Sequence, residues 1–421
     1  MRRLIRLLFV AATALAYLFA AVSCLPAKKP ERGVLSAENA IVGGRLYHAA
    51  RISDTFQYID INVDYKSVLT IEPKVACAIK GCSHSDDSCP AYIRGLTCWA
   101  PDPGAHSHSL WYAQMRTYFD AEQKKGVRHN VIACLAVLTG ETETVLQDWQ
   151  YPIDQLLLYG DDIYFLSKNQ DGLHDIWVIP RSGGTPELYV AGDGTDIVMV
   201  GMENGALYFM SEDSGVYRAE RGSDGVKTTL IFSCDTPTGI FVYDGYIYYP
   251  VKSEDAPEYE ILPGRTETDE NGEVTEFAVA VNCHDYYRVP VSGGEPEPVI
   301  SGVQATVGSL CADGYLYLPA WEFDYYGSIE SKGGSTDYFS RSSGTVWAVD
   351  IKGKPRADTL ISASKYATAD GDITAIYTVT ERFVFAKSLN MLAAYQNGTP
   401  VESVYVLFDR GDGYVRVVNF E

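Results

Sequence analysis

The residues best suited to chemistry in this 421-residue chain stand close together as Cys77-x4-Cys82-x-His84-x4-Cys89, with Asp86 and Asp87 inside the segment and Cys98 nine residues beyond. Three thiols and an imidazole within 13 residues offer the sulfur and nitrogen donors of a tetrahedral zinc ion. The Cys-x2-Cys spacing of common zinc modules is missing. In an oxidising compartment the same three cysteines with Cys98 would instead form two disulfides, in any of three connectivities. Either bond would clamp a stretch, Pro73 to Pro103, that carries few strand signals.

Other groupings are weaker. His106-Ser107-His108 would place two imidazoles on one side of a strand, but follows Pro101 and Pro103 and reads more naturally as a loop. The stretch Glu254 to Glu276 holds nine acidic residues and one basic residue, without the ligand alternation of a calcium loop, and reads as a solvated insertion. A second insertion, Glu322 to Ser343, sets Phe323, Tyr325, Tyr326, Tyr338 and Phe339 among glycines and serines; Phe323, Tyr325, Tyr326 and Tyr338 are its candidate binding residues for a glycan or a surface protein. Arg410-Gly411-Asp412 spells an adhesion tripeptide that turn chemistry explains. Cys134, Cys234, Cys283 and Cys311 sit in or beside apolar runs, as structural thiols do. No G-x-S-x-G, H-E-x-x-H, P-loop or G-x-G-x-x-G motif is present. That favours non-enzymatic binding; the alternative is a propeller enzyme, a glycan lyase or hydrolase with groups drawn from several loops.

The elements that must position these residues come from an internal repeat. Asp244-Gly245-Tyr246-Ile247-Tyr248-Tyr249-Pro250 recurs as Asp313-Gly314-Tyr315-Leu316-Tyr317-Leu318-Pro319, with looser copies at Asn204 to Phe209 and Gly160 to Phe165. Each is a turn feeding a short strand. A strand-turn-strand unit follows, clearest as Ile176 to Glu187 and Tyr287 to Glu297. Taking Leu46, Leu110, Ile163, Leu207, Ile247, Leu316 and Phe383 as markers gives spacings of 64, 53, 44, 40, 69 and 67 residues. Two match the roughly 40–45 residues of a four-stranded blade, and the longer ones contain insertions. Long helical periodicity is missing. The expected fold is an all-β propeller of seven four-stranded blades, with six as the alternative, over residues 39–421.

Arg2, Arg3 and Arg6 precede an apolar run from Leu7 to Val22 and then Ser23-Cys24, the order of an export signal. The run has 16 residues, short of the roughly 20 of a membrane-spanning helix. Residues 1–23 are therefore expected to be a signal peptide and 24–38 a lipidated terminus and tether. Losing Arg2, Arg3 and Arg6 leaves 31 basic against 55 acidic residues, a formal charge of −24. Such a charge repels phosphate backbones and excludes nucleic acid as a partner. With 46% hydrophobic residues a substantial core is expected.

The hairpin Asp175-Ile176-Trp177-Val178 with its Ser182-Gly183-Gly184-Thr185-Pro186 turn resembles the repeat of TolB-like propellers, and Ala21-Val22-Ser23-Cys24 resembles a lipobox. With the early Cys-His segment, the whole resembles bacterial lipoproteins carrying a propeller domain of unknown function, the group with prolow-density-lipoprotein-receptor-like repeats. The likeness covers about residues 40 to 420 and implies a fold and a compartment: the outer face of the cytoplasmic membrane, reached through lipid on Cys24. It implies no activity. Substituting Cys24→Ser is expected to move the protein from the membrane fraction to the medium or to leave an unprocessed precursor; normal cleavage with unchanged membrane retention contradicts the assignment.

Overall fold

The computed structural model describes residues 31–420, except 38, 51, 66–67, 69, 87, 103–107, 121–123, 193, 212–214, 235–238, 255–258, 269–270, 273, 281–283, 304–309, 313, 320–323, 332–333, 341–345, 352–355, 362–371, 390, 399–402 and 411–414. Cys24 and the export segment lie outside these residues. The described strands form seven sheets of four or five strands, antiparallel but for one added edge strand, each a blade of a β-propeller. Blade 1 is Asn39–Val42, Arg45–Ala50, Thr55–Asp60 and Lys74–Val75; blade 2 is Leu96–Pro101, Ser109–Asp120, Lys125–Ala136 and Glu141–Trp149. The first strands of the other blades are Ile153–Tyr159, Ile197–Glu203, Phe241–Tyr243, Leu310–Ala312 and Asp372–Val379. First strands touch from blade 1 through blade 5, between blades 6 and 7 and between blades 7 and 1, and blades 5 and 6 share the core of Tyr248, Tyr286, Leu316 and Val349, so the blades form a closed ring around the axis. We call the face where first strands begin the upper face.

The seven marker residues all fall on the second strand of a blade, and all are buried. Their strands are buried on both sides because a blade is covered by two neighbours. In blade 3, Ile163 and Phe165 pack toward blade 2, whereas Tyr164 and Leu166 pack toward blade 4. The period of two of a strand thus divides one apolar run between two interfaces. First and second strands are joined by tight turns; Asn204-Gly205 has φ of +52° and +82°, and Asp244-Gly245 +53° and +80°. These left-handed pairs suit a type I′ turn, whose twist matches that of the strands.

Insertions enter between second and third strands, hence on the upper face. Blade 5 inserts the hairpin Tyr259–Thr268 with Val274–Ala280, and blade 6 inserts Asp324–Ser331 with Gly334–Ser340. The two hairpins lie against each other, and the blade 7 helix Met391–Asn397 packs on the second. The two inserted stretches therefore each form a two-stranded sheet. Leu96–Pro101 also corrects the irregular reading of 73–103: it is the axial strand of blade 2.

Residues 32–37, grouped with the tether in the sequence reading, belong to the propeller. Val34–Leu35 pairs antiparallel with the first strand of blade 3, Val34 opposite Leu158 and Leu35 opposite Leu157. Gly33 N–H donates to Met202 O of blade 4, and Ala37 N–H donates to Trp99 O of blade 2. This strap runs upward along the axial side of three blades. At its lower end Arg32 donates to Glu203 at 2.9 Å, stacks 3.7 Å from the Tyr243 ring centre and lies 3.5 Å from Asp244. Glu203, 2% exposed, also accepts the N–H groups of Asp244 and Gly245. One buried carboxylate so joins strap, blade 4 and blade 5.

The ring closes between blades 1 and 7 without sharing a blade. Thr70–Ile71, from the blade 1 connection, adds in parallel to Val415–Val418 as a fifth strand of blade 7. Leu46, Ile59 and Ile71 pack with Phe383, Phe385, Leu407 and Val418. Arg416, 1% exposed, donates from Nε to Tyr65 O at 2.8 Å. Arg416→Met keeps the apolar stem and removes this charged bond, leaving Tyr65 O with the Val68 N–H as a donor but without the guanidinium. The expected loss is about 2 kcal/mol of unfolding free energy, read as a lower denaturant midpoint; an unchanged midpoint would show that the ring closes without this bond.

Candidate metal centre and the neighbouring cavity

Residues 76–95 connect the last strand of blade 1 to the first of blade 2 across the upper face. Both ends are sewn to blade 1: Ala76 N–H donates to Phe56 O, Phe56 N–H to Ala91 O, and Ile93 N–H to Asp54 O. Between these stitches the backbone forms turns. Gly81 has φ +77° and His84 φ +57°, a left-handed conformation uncommon for a residue with a side chain. Asp86 accepts from both the N–H and the hydroxyl of Ser88, and its carbonyl accepts the Cys89 N–H, which sets the turn that returns Cys89 inward.

These turns bring Cys77, Cys82, His84 and Cys89 together. Their ligand atoms all lie within 4.8 Å of one another, with His84 Nδ1 3.3 Å from Cys89 Sγ. Cys89 is buried among the core residues of blades 1 and 2, and Cys77 and Cys82 pack on the same core. The His84 N–H bonded to its sulfur holds the Cys82 thiol below its ordinary pKa. Burial pushes Cys89 up to about 12, against a bond from the Ala91 N–H. Two of the three sulfurs thus receive a main-chain N–H from two residues on. Chemically this is a donor set for a thiophilic cation, with all four positions supplied by the protein.

Cys98, grouped with these cysteines as a disulfide partner in the alternative reading, is not among them. The axial strand of blade 2 carries it into the interface with blade 3, where its thiol faces Ile153 O at 3.8 Å and burial raises its pKa to about 12. Among the described residues, Cys77, Cys82, Cys89, Cys98, Cys134 and Cys234 form no disulfide. Cys311 lies on the axial strand of blade 6, and Cys283 lies outside the described residues. His106 is likewise outside them, while the His108 ring packs against Gly43. Phe323 lies outside the described residues; Tyr325, Tyr326 and Tyr338 are described through their backbone, on the blade 6 hairpin.

Beside the cysteine-bearing connection, the upper face opens into a cavity of about 670 Å³. Its wall is drawn from the strap (Ser36, Ala37), blade 1 (His48, Ile52), the start of blade 2 (Leu96 to Trp99), blade 7 (Lys387, Ser403, Tyr405) and Phe420. The His48 ring lies tilted against Tyr405 at 4.7 Å and Phe420 at 4.6 Å, centre to centre. No motif joins residues 36 and 420, so sequence reasoning missed this site. It also missed His174, which joins Asp154 at 2.7 Å and Asp196 at 2.5 Å across the tops of blades 3 and 4.

No family model and no curated protein matches the sequence. Among solved structures it is similar to TolB from Acinetobacter baumannii, at 12% identity over 81% of this chain and 66% of that one, TM-score 0.36. Apo AztD from Citrobacter koseri shares 9% identity over 93% and 95% of the two chains, TM-score 0.34. A prolyl endopeptidase shares 11% identity over 92% of this chain, TM-score 0.48, and the match spans about half, 49%, of its length. Relationships this distant carry no activity across, and the propeller stands on the strand pairing itself.

Proposed function

We propose that this chain is an extracytoplasmic lipoprotein, anchored through Cys24 to the outer face of the bacterial cytoplasmic membrane, whose propeller binds a ligand without transforming it. The observation that carries the binding reading is the upper-face cavity. A volume of about 670 Å³ is within the range of small-molecule sites. His48, Tyr405 and Phe420 form a prepacked aromatic wall, Lys387 supplies a cation, and Ser36, Thr97 and Ser403 supply hydroxyls. Aromatic faces suit the C–H faces of sugars, and a lysine suits a carboxylate or sulfate on them. The ligand class is accordingly an acidic glycan. Carboxylate pairs of the kind glycoside hydrolysis needs are missing from the described lining residues.

The strap adds a geometry to the anchor. Arg32, where the strap begins, sits at the lower end of the axis, so an anchor at Cys24 would act on that end. Residues 24–31 span at most about 28 Å when extended. Anchoring would therefore hold the lower face near lipid and turn the cavity and the inserted hairpins outward.

Screening the mature protein on an array of neutral and acidic glycans tests the ligand class, with Lys387→Ala, Tyr405→Ala and a variant whose residues 322–343 become a Gly-Ser linker. Acidic glycans should bind, and each cavity substitution should weaken binding about tenfold or more. Loss confined to the linker variant moves the site to the blade 6 hairpin. Shortened glycan products in the mixture establish the enzyme alternative, and retention of neutral glycans alone refutes the role of Lys387.

A further inference from the structure

We propose that Cys77, Cys82, His84 and Cys89 hold one zinc ion as a closed structural centre that fixes the 76–95 connection on the upper face. The geometry fits the ion. Zinc–sulfur bonds of about 2.3 Å and zinc–nitrogen bonds of about 2.0 Å in a tetrahedron separate the ligand atoms by about 3.5–3.8 Å. The four donors already converge to within 4.8 Å, and His84 Nδ1 and Cys89 Sγ stand at 3.3 Å.

Thiol arithmetic opposes a disulfide account. Three cysteines converge, so any pairing leaves one over, and the fourth candidate, Cys98, is held in another core. A zinc ion uses all three sulfurs and also accounts for the imidazole. It further accounts for the left-handed backbone at His84, a strained conformation of the kind that persists where a site requires it. The main-chain N–H bonds to Cys82 and Cys89 are the outer-shell contacts that steady thiolate ligands. With four protein donors no position is left for water or substrate, so the centre is structural. Each thiol gives up its proton on binding, and the 2+ ion leaves a centre of net charge −1.

The centre also has something to order. From Ala76 to Gly95 the described chain has no strand of its own, only stitches at its ends, and the following residues, Leu96 to Trp99, form one wall of the cavity. Zinc would tie the middle of this connection to the core of blades 1 and 2.

The test is elemental analysis of the full chain purified without chelator, alongside Cys82→Ser, His84→Ala and, as a control, Cys98→Ala. The expected result is one zinc per chain, lost in the first two variants and kept in the control. Chelation should expose residues 76–95 to protease and leave the remaining propeller resistant. If variants fail to accumulate, the wild-type protein decides: cobalt(II) replacing zinc should show thiolate-to-cobalt charge-transfer absorption of a three-sulfur tetrahedral site. Metal-free protein without that absorption, thiols that react only after reduction, or zinc retained in both ligand variants would each overturn the proposal. None of these readouts depends on the glycan experiment.

Discussion

Everything in this fold depends on closing a ring of sheets, none of which can bury its own faces. A strand such as Asp162–Lys168 sends alternate apolar side chains into two different interfaces, so a blade with one neighbour would leave half its core in water. The two blades that meet last therefore carry the heaviest demand. Blade 1 answers with Thr70–Ile71, given up to the edge of blade 7, and blade 7 answers with Arg416, whose charge is spent on a carbonyl of blade 1. The apolar seam around Phe385 and Leu407 then stays dry, at about 1.5–3 kcal/mol for each large side chain fully buried. The exposed strand edges that would invite aggregation are reduced by the same closure.

Much of this was legible in the sequence because a repeated physical problem leaves a repeated pattern. The seven markers from Leu46 to Phe383 each satisfy the same doubly covered position, and Asn204-Gly205 and Asp244-Gly245 announce turns that few other pairs make. Legibility failed where a strand is too short to have a period. Val34–Leu35 has two residues and sits beyond prolines and charges, so it reads as tether although it lines the axis. Lys74–Val75 is as brief, so the fourth strand of blade 1 leaves no period in the sequence.

The candidate sites show the same division. Donor types at Cys77, Cys82, His84 and Cys89 are visible from spacing alone, yet their convergence depends on the turn at His84 and on the stitches to Phe56, which no spacing reveals. Cys98 looked equivalent in the sequence and is separated by the start of a strand. The cavity is at the other extreme: a ring closes residue 36 onto residue 420, and only closure makes neighbours of them. Both sites lie on the upper face, where the connections between second and third strands and between blades emerge.

The strap bears on how the molecule meets force. Tension applied at residue 31 pulls Val34–Leu35 along its own axis, parallel to the strand it pairs with, so the main-chain bonds at Gly33, Ser36 and Ala37 are loaded together in shear. They cannot be peeled off one at a time. The Arg32–Glu203 pair lies first in line, and Glu203 passes the load to the turn of blade 5 as well as to blade 4. Resistance to pulling is a rate rather than an equilibrium, and a traction point spread over four blades makes this propeller hard to unravel from the end by which it would be held.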